Sequence, residues 1–290
     1  MKATIKSTDG TGSEEIKFPT QFSEEVRPDL IKRAVLAIKS HRRQPYGTDP
    51  EAGMRHSAKL SRRRRDYKTS YGHGISRVPR KIMSHSGTRF NWVGAEAPNT
   101  VGGRRSHPPK SQKIFDQKIN IKERRKAIRS ALAASIIKEL VEKRGHKVTD
   151  YPLVIDDSIE NISKTKEIIE LLTKLGLENE LERIGERKIR AGKGKLRGRR
   201  YKVTKGPLFV VSKKCSLIAA AKNITGVDIE AVDSLNVELL APNGDYGRLT
   251  IYTKSAIQRI GNEMLFTDNI KKADEIKKIV TTKRAKKETE

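Results

Sequence analysis

The sequence predicts an α/β protein: an open, mostly parallel sheet flanked by helices, with a long irregular extended loop inserted after the first helix. Three observations carry that expectation. Short apolar runs such as Leu153-Val154-Ile155 and Leu208-Phe209-Val210-Val211 alternate with segments whose apolar residues recur at helical spacing. The stretch from Arg42 to Lys110 is rich in glycine, proline and arginine, and its few large aliphatic residues keep neither a strand nor a helix period. The aliphatic side chains a core requires are concentrated outside that stretch.

In order, Lys2 to Phe18 alternates weakly around Asp9-Gly10-Thr11-Gly12 and reads as two short strands and a turn. Pro28 suits a first helical turn, and Ile31, Ala34, Val35 and Ile38 follow at helical spacing as far as about His41. After the loop, Ile119 to Arg144 reads as one longer helix, with Ile128, Leu132, Ile137 and Val141 facing a core and Gly145 as its stop. Its N-terminal half is basic through Lys122, Arg124, Arg125, Lys126 and Arg129. Leu153 to Ile155 is a buried strand ended by Asp156-Asp157. Ile168, Leu171, Leu172 and Leu175 mark a helix closed by Gly176, and Leu181 and Ile184 a further short one. Leu208 to Val211 is a strand, and Leu217, Ala220, Ala221 and Ile224 form a helical face. Val227 to Val232 is a strand, Leu235 to Leu240 a short helix, Leu249 to Tyr252 the last strand, and Ala256, Ile257 and Ile260 a closing helix. Ile270, Ala273, Ile276 and Val280 suit one face of a final helix, with Lys283 to Glu290 frayed.

Lysine and arginine outnumber aspartate and glutamate 62 to 35 over 290 residues, a formal net charge of +27, which draws the chain towards polyanions. A single cysteine, Cys215, excludes an internal disulfide framework and suggests a reducing compartment. Polar residues follow Met1-Lys2-Ala3-Thr4 where a signal peptide has an apolar run. No stretch approaches the roughly 18 apolar residues of a membrane span. The expectation is a cytoplasmic protein whose partner is nucleic acid, with no membrane partner.

The loop holds sixteen cations against four acidic residues, +12 of that charge. Its cations include Arg42, Arg43, Arg55, Lys59, Arg77, Arg80, Lys81, Arg89, Arg104, Arg105 and the run Arg62-Arg63-Arg64-Arg65, against Asp49, Glu51, Asp66 and Glu96. So long a connection inside a domain means function or disorder, and this one has too little apolar area to offset its chain entropy alone. Yet Tyr46, Tyr67, Tyr71, Phe90 and Trp92 lie along it. Arginines to neutralise phosphates, aromatics to stack on bases and glycines for close approach fit a segment that orders against RNA. A second basic stretch, Arg187 to Lys205, includes Lys193, Lys195, Arg197, Arg199 and Arg200, and no acidic residue falls between Glu186 and Asp228.

Enzymatic motifs fail on inspection. For Gly194-Lys195 to close a phosphate loop, Ile189 would have to be glycine and Leu196 serine or threonine. Gly72-His73-Gly74 lacks the preceding strand and third glycine of a dinucleotide fingerprint. The histidines His41, His56, His73, His85, His107 and His146 are scattered and cannot combine with one cysteine into a zinc site. Asp156 and Asp157 are explained by helix capping, and Cys215 by packing. No metal and no cofactor is expected. The competing reading, an RNA-modifying enzyme on a nucleotide-binding α/β fold, needs a glycine-rich turn with an acidic partner downstream, which the sequence lacks. A DNA-compacting protein would suit the charge but not the single long insertion.

Several segments are similar to one family. Gln44-Pro45-Tyr46-Gly47, Ser70-Tyr71-Gly72-His73-Gly74-Ile75-Ser76-Arg77-Val78-Pro79-Arg80 and Gly102-Gly103-Arg104-Arg105-Ser106-His107-Pro108-Pro109 resemble the large-ribosomal-subunit protein four family in its archaeal and eukaryotic form. So do Ile121-Lys122-Glu123-Arg124-Arg125, Ala191-Gly192-Lys193-Gly194-Lys195 and Ala241-Pro242-Asn243-Gly244-Asp245-Tyr246-Gly247-Arg248-Leu249. Asn243 to Tyr246 departs from the glycine–glycine–histidine turn common there. The resemblance implies a structural ribosomal protein and not an enzyme. Its globular α/β domain would span residues 1–41 and 111–265, with a loop of residues 42–110 threaded through rRNA and a basic tail from residue 266. Binding to rRNA would fall to Arg42, Arg43, Arg55, Arg62, Arg63, Arg64, Arg65, Arg80, Arg89, Trp92, Arg104 and Arg105 of the loop, and to Arg124, Arg125, Lys193, Lys195, Arg197, Arg199 and Arg200. Tyr71, Gly72, His73, Gly74 and Arg77 would line the nascent-peptide exit tunnel. Neighbouring ribosomal proteins and the nascent polypeptide are the other implied partners.

Overall fold

The computed structural model describes residues 2–268, so the final helix expected around Ile270 to Val280, and most of the basic tail, lie outside the described residues. In chain order the first elements are β1 (Lys2–Lys6), β2 (Gly12–Lys17), α1 (Pro28–His41), β3 (Ala58–Lys59), β4 (Arg80–Ser86), β5 (Arg89–Gly94), α2 (Ile121–Ser135) and α3 (Lys138–Lys143). There follow β6 (Leu153–Ile155), α4 (Thr165–Lys174), α5 (Glu178–Gly185), β7 (Lys188–Ile189), β8 (Tyr201–Lys202) and β9 (Leu208–Val211). The last are α6 (Ser216–Ala221), β10 (Asp228–Ala231), α7 (Val237–Leu240), β11 (Thr250–Thr253) and α8 (Lys254–Asn262). They group into two units: the chain up to His41 and again from Gln117, and Arg42–Asp116.

The first unit is built on a six-stranded sheet in the order β10-β9-β11-β6-β1-β2, parallel except for the antiparallel edge pair β1 and β2. All residues of β6, β9 and β11 are buried because helices cover both faces, which is why those strands read as continuous apolar runs. Neighbouring residues on a strand still point to opposite faces. Val154, Val210 and Tyr252 pack with Ile31 and Val35 of α1, Ile128 and Leu132 of α2 and Ile257 of α8. Leu153, Ile155, Phe209 and Ile251 pack with Leu172 of α4, Ile184 of α5 and Leu217 of α6.

One helix expectation is corrected. Where the sequence reads a single helix from Ile119 to Arg144, the chain forms α2 and α3, because Ile137 is extended at φ −90°, ψ 111°. Contacts distant in sequence stop α2 at Ser135. Its carbonyl accepts from the Tyr151 hydroxyl, and its own hydroxyl donates to the Leu132 carbonyl at 2.7 Å and lies 2.7 Å from the Tyr252 hydroxyl. The break puts Ile136 in the core in place of Ile137. Burial pushes the Tyr151 phenol far above its ordinary pKa, so it stays protonated and able to donate. Tyr151→Phe removes the partner of the Ser135 carbonyl and that of the Thr250 amide, and is expected to cost about 1–3 kcal/mol in urea unfolding.

A buried ion cluster locks α3 to α5. His146 Nδ1 lies 2.7 Å from Glu180 Oε1, and Arg183 donates to both Glu180 oxygens at 2.6 and 2.7 Å. Burial depresses the His146 pKa, opposed by Glu180 and aided by the Arg183 and Arg144 charges, so the imidazole is neutral and its Nδ1–H donates. Burial pushes the Glu180 carboxyl upward, but hydrogen bonds from Arg183 and His146 outweigh it and leave the pKa below the usual range. Both groups therefore bind more protons unfolded than folded. The His146 contribution is complete above about pH 6.5 and lost as pH falls from there through its folded pKa. That of Glu180 is lost only below about pH 4.3. Urea unfolding followed from pH 7 to 5 should show stability falling by up to about 1.4 kcal/mol per pH unit, and His146→Gln should flatten that limb.

Candidate nucleic-acid interface

The unit Arg42–Asp116 has almost no core: of its residues only Thr69, Ser70 and Ala95 are buried. It is nonetheless not free of regular structure, as its composition suggests. β3, β4 and β5 form an antiparallel sheet, with Ile82 opposite Trp92, His85 opposite Phe90 and Ser86 opposite Arg89. The period-two signal is present in Arg89-Phe90-Asn91-Trp92-Val93-Gly94, carried by aromatics and not aliphatics, and Gly87 at φ +55° supplies the turn. Elsewhere the outgoing and returning passes touch through glycines. A Cβ on Gly47 would sit 2.5 Å from the Ser111 nitrogen, and one on Gly53 would sit 2.6 Å from that of Arg104. The Thr48 amide donates to the Pro109 carbonyl at 3.1 Å. These glycines thus permit contact within the protein, not only approach to a partner.

The arginine run sits in a pinned turn. Ser61 donates to Asp66, the Tyr67 amide donates to Asp66 Oδ1 at 2.8 Å, and the Thr69 hydroxyl donates to the Arg63 carbonyl at 2.7 Å. The Ser61 hydrogen bond, then that of Tyr67, holds the Asp66 carboxyl below its usual pKa. Asp66 is thus engaged by the Ser61 hydroxyl and the Tyr67 amide, and Arg62, Arg63, Arg64 and Arg65 are all exposed. Arg55 takes Asp49 and Glu51. Among the described residues no carboxylate pairs with Arg62–Arg65, Arg77, Arg80, Arg89, Arg104 or Arg105. Arg42 and Arg43 are exposed as well.

The aromatics form an organised surface. Phe90 and Trp92 stack at 5.1 Å and 22°, Tyr67 meets Phe90 edge-on at 5.2 Å, and the Arg80 guanidinium lies 5.4 Å from the Trp92 ring. Beside them opens a cleft of about 490 Å³ that Arg65, His73 and Arg89 also line. Tyr71-Gly72-His73-Gly74 is a turn with both glycines at positive φ and nothing near their missing side chains, and Arg77 stacks 4.5 Å over Tyr71. Phe115, which the sequence reading does not single out, pairs with Tyr46 at the two ends of the unit.

In the first unit, the stretch from Arg187 to Lys205 folds as the β7–β8 pair around a short turn, Lys193–Arg197. Gly192 and Gly198 bracket that turn at positive φ, and Lys193, Lys195, Arg197, Arg199 and Arg200 are exposed around Leu196, itself 90% exposed. On α2, Arg124 is exposed, whereas Arg125 donates to the Thr267 carbonyl at 3.1 Å. Arg129 is buried and bound to Glu24, the Phe266 carbonyl and Asp268 at 2.7–3.0 Å. The helix is therefore less basic at its surface than its sequence implies.

The carboxyl ends of the parallel strands, where α/β enzymes hold ligands, are filled by the protein itself. Glu160 accepts from the Ser212 amide at 2.9 Å, from the Ser212 and Thr253 hydroxyls at 3.0 Å and from Ser255 at 3.4 Å. Asp157 caps not its own turn but α8, through the Ser255 amide at 2.8 Å. Burial, and then Glu160, raise the Cys215 pKa, the reverse of activation by Lys213 and Lys214. No group of metal-binding side chains occurs among the described residues, and none of their helices is long and apolar enough to cross a membrane.

Comparison with known proteins adds the decisive observation. The model of the Ribosomal protein L4/L1 family matches residues 16–263. The chain belongs to this family. The large ribosomal subunit protein uL4 of Nanoarchaeum equitans is 54% identical over 253 residues, covering 87% of this chain and 94% of its own. That of Methanosphaera stadtmanae is 46% identical over 272 residues, covering 92% and 98%. That of Methanocaldococcus jannaschii is 43% identical over 263 residues, covering 90% and 98%. In the Ala241–Leu249 segment, Pro242–Gly244 forms a short turn. Asn243 takes φ +65°, Lys39 donates to its side chain, and Arg144 donates to the Pro242 and Asp245 carbonyls.

Proposed function

We propose that the chain is a structural constituent of the large ribosomal subunit in the cytoplasm, without catalysis of its own, which binds large-subunit rRNA and supports its assembly. The relatives' names supply the particle. The observation that carries the rRNA contact is the Arg42–Asp116 unit, where exposed Arg62–Arg65, Arg77, Arg89, Arg104 and Arg105 have no carboxylate partner among the described residues and the aromatics are presented on a small sheet. Phosphates neutralise the arginines, and unpaired bases stack on Phe90 and Trp92. Lys193 to Arg200 and Arg124 give the other unit its own RNA contacts. The Tyr71–Gly74 turn and Arg77 line the nascent-peptide exit tunnel near its constriction, and neighbouring ribosomal proteins complete the surroundings.

The chain permits a clean deletion. The Gln117 amide donates to the Ser40 hydroxyl at 2.9 Å, and the Gln117 carbonyl lies 3.2 Å from His41 Nε2, so a short Gly-Ser linker can replace Arg42–Asp116. Filter binding to large-subunit rRNA should then show weaker affinity and a shallower salt slope. If both stay unchanged, this unit is not the RNA-binding element. For the tunnel contact, a photoreactive residue at Arg77 should crosslink to a stalled nascent chain, and a clean negative removes that role.

A further inference from the structure

A second cavity, of about 680 Å³, lies near the two ends of the Arg42–Asp116 unit and is separate from the Phe90–Trp92 cleft. Its apolar wall is Tyr46, Phe115, Pro108 and Pro109. Tyr46 and Phe115 are nearly parallel, 13° apart with centroids at 5.9 Å, and the Arg43 guanidinium lies 4.2 Å over the Phe115 ring. Each proline fixes its own φ, which restricts the backbone of the Pro108–Pro109 part of that wall. Arg105, His107, Lys110, Gln112 and Lys113 complete the lining, and no carboxylate is among the lining residues.

Each feature narrows the occupant. The volume falls in the range of small-molecule pockets, about 300–1,000 Å³, and is too small for a helix of RNA or protein. Flat aromatic faces beside a guanidinium plane match a planar heterocycle, and the cations match an attached phosphate. Inside a duplex a base has both faces covered, so only a nucleotide turned out of its stack can offer one to Tyr46 or Phe115. An acidic peptide would satisfy the cations but leave the rings without a planar partner.

We infer that this cavity receives one unstacked RNA nucleotide, its base on the Tyr46–Phe115 wall and its phosphate among Arg105, Lys110 and Lys113. The inference rests on the RNA-binding reading above and deepens it: part of the recognition is capture of a splayed base, not neutralisation of backbone alone.

The test uses the full chain and a 12-nucleotide single-stranded RNA with one 2-aminopurine, whose fluorescence drops when it stacks, with a 12-base-pair RNA duplex as comparator. Three forms are compared: unchanged, Tyr46→Leu/Phe115→Leu, and Phe90→Leu/Trp92→Leu. Loss of one base–aromatic stack is worth about five- to a hundredfold in affinity. The first double variant should lose that much single-strand affinity and part of the quench, and keep its duplex affinity and salt slope. Phe115→Trp should keep the quench, which a merely structural role for Phe115 does not require. Ultraviolet crosslinking of the unchanged chain should place a nucleotide on the peptide containing Tyr46 or Phe115, a readout independent of how the variants fold. Full affinity and quench in the Tyr46/Phe115 variant, with loss only in the Phe90/Trp92 variant, overturns the cavity but leaves RNA binding intact. Tighter binding of a polyglutamate peptide than of the single strand, lost in the same variant, overturns it in favour of a protein ligand. A chain that binds neither RNA removes the functional reading, and the cavity's role with it.

Discussion

Replacing Arg62, Arg63, Arg64, Arg65, Arg89, Arg104 and Arg105 together by glutamine should weaken rRNA binding about a thousandfold or more at 0.15 M salt. The salt slope should fall by about 0.7–0.9 for each arginine that meets a phosphate. A slope of that size corresponds to about fivefold in affinity per contact at this ionic strength, so five engaged arginines suffice for the predicted loss. The substitutions break no ion pair among the described residues, because Arg55 holds Asp49 and Glu51 while Asp66 serves Ser61 and the Tyr67 amide. Urea unfolding of the chain should therefore stay within about 0.5 kcal/mol of the original. Weaker binding with an unchanged slope would mean that these arginines act through something other than phosphate neutralisation. Substituting lysines should retain most of the slope but less of the affinity, since lysine lacks the planar fork that grips phosphate with two hydrogen bonds.

The largest effect on folding is expected at Arg248. This guanidinium has 0% exposure, and it donates to the Gly206 carbonyl at 2.8 Å, to the Leu239 carbonyl at 2.9 Å and to Asp228 at 2.6 Å. It therefore joins the approach to β9, the first residue of β10 and α7 with one side chain. Burial works against ionisation of Asp228, yet the Arg248 charge, aided by Lys205, holds its carboxyl below the usual pKa. Arg248→Ala removes these bonds together with a longer one to the Pro207 carbonyl at 3.5 Å and leaves Asp228 to Lys205 alone, with an expected cost of about 3–5 kcal/mol in urea or thermal unfolding. Adding Asp228→Asn should recover part of that loss, as the stranded charge is gone. The sign with pH follows from the lowered carboxyl. Its contribution is present above about pH 4 and lost as pH falls, so the acid limb of the stability profile should be shallower in the Arg248 variant. An Arg248→Ala chain as stable as the original would show that the clamp is dispensable.

The parallel sheet was legible because burial on both faces leaves a distinct mark: Leu208 to Val211 and Leu153 to Ile155 are unbroken apolar runs, and all are buried. α1 was legible for the opposite reason, a single apolar stripe begun by Pro28. What escaped the sequence depends on partners far along the chain. α2 ends at Ser135 because Tyr151 claims its carbonyl, and no local breaker marks the place. Arg129 and Arg248 look like surface cations until folding supplies Glu24 and Asp268 to one and Asp228 to the other. The β4–β5 pair was missed because its alternation is written in Phe90 and Trp92 within a basic, glycine-rich setting. The arginine run was legible as a charge but not as a shape, since the turn that presents it depends on Asp66 and Thr69 reaching back to Ser61 and Arg63.

Most directly, limited trypsin cleavage can be followed at Arg62–Arg65 in the free chain and in large subunits carrying it after a high-salt wash. In the free chain these exposed arginines should be cut early. In the washed subunits the chain should still sediment with the particle and the same bonds should resist, because rRNA phosphates cover them. Equal cleavage in both states, or loss of the chain in the wash, would contradict the account.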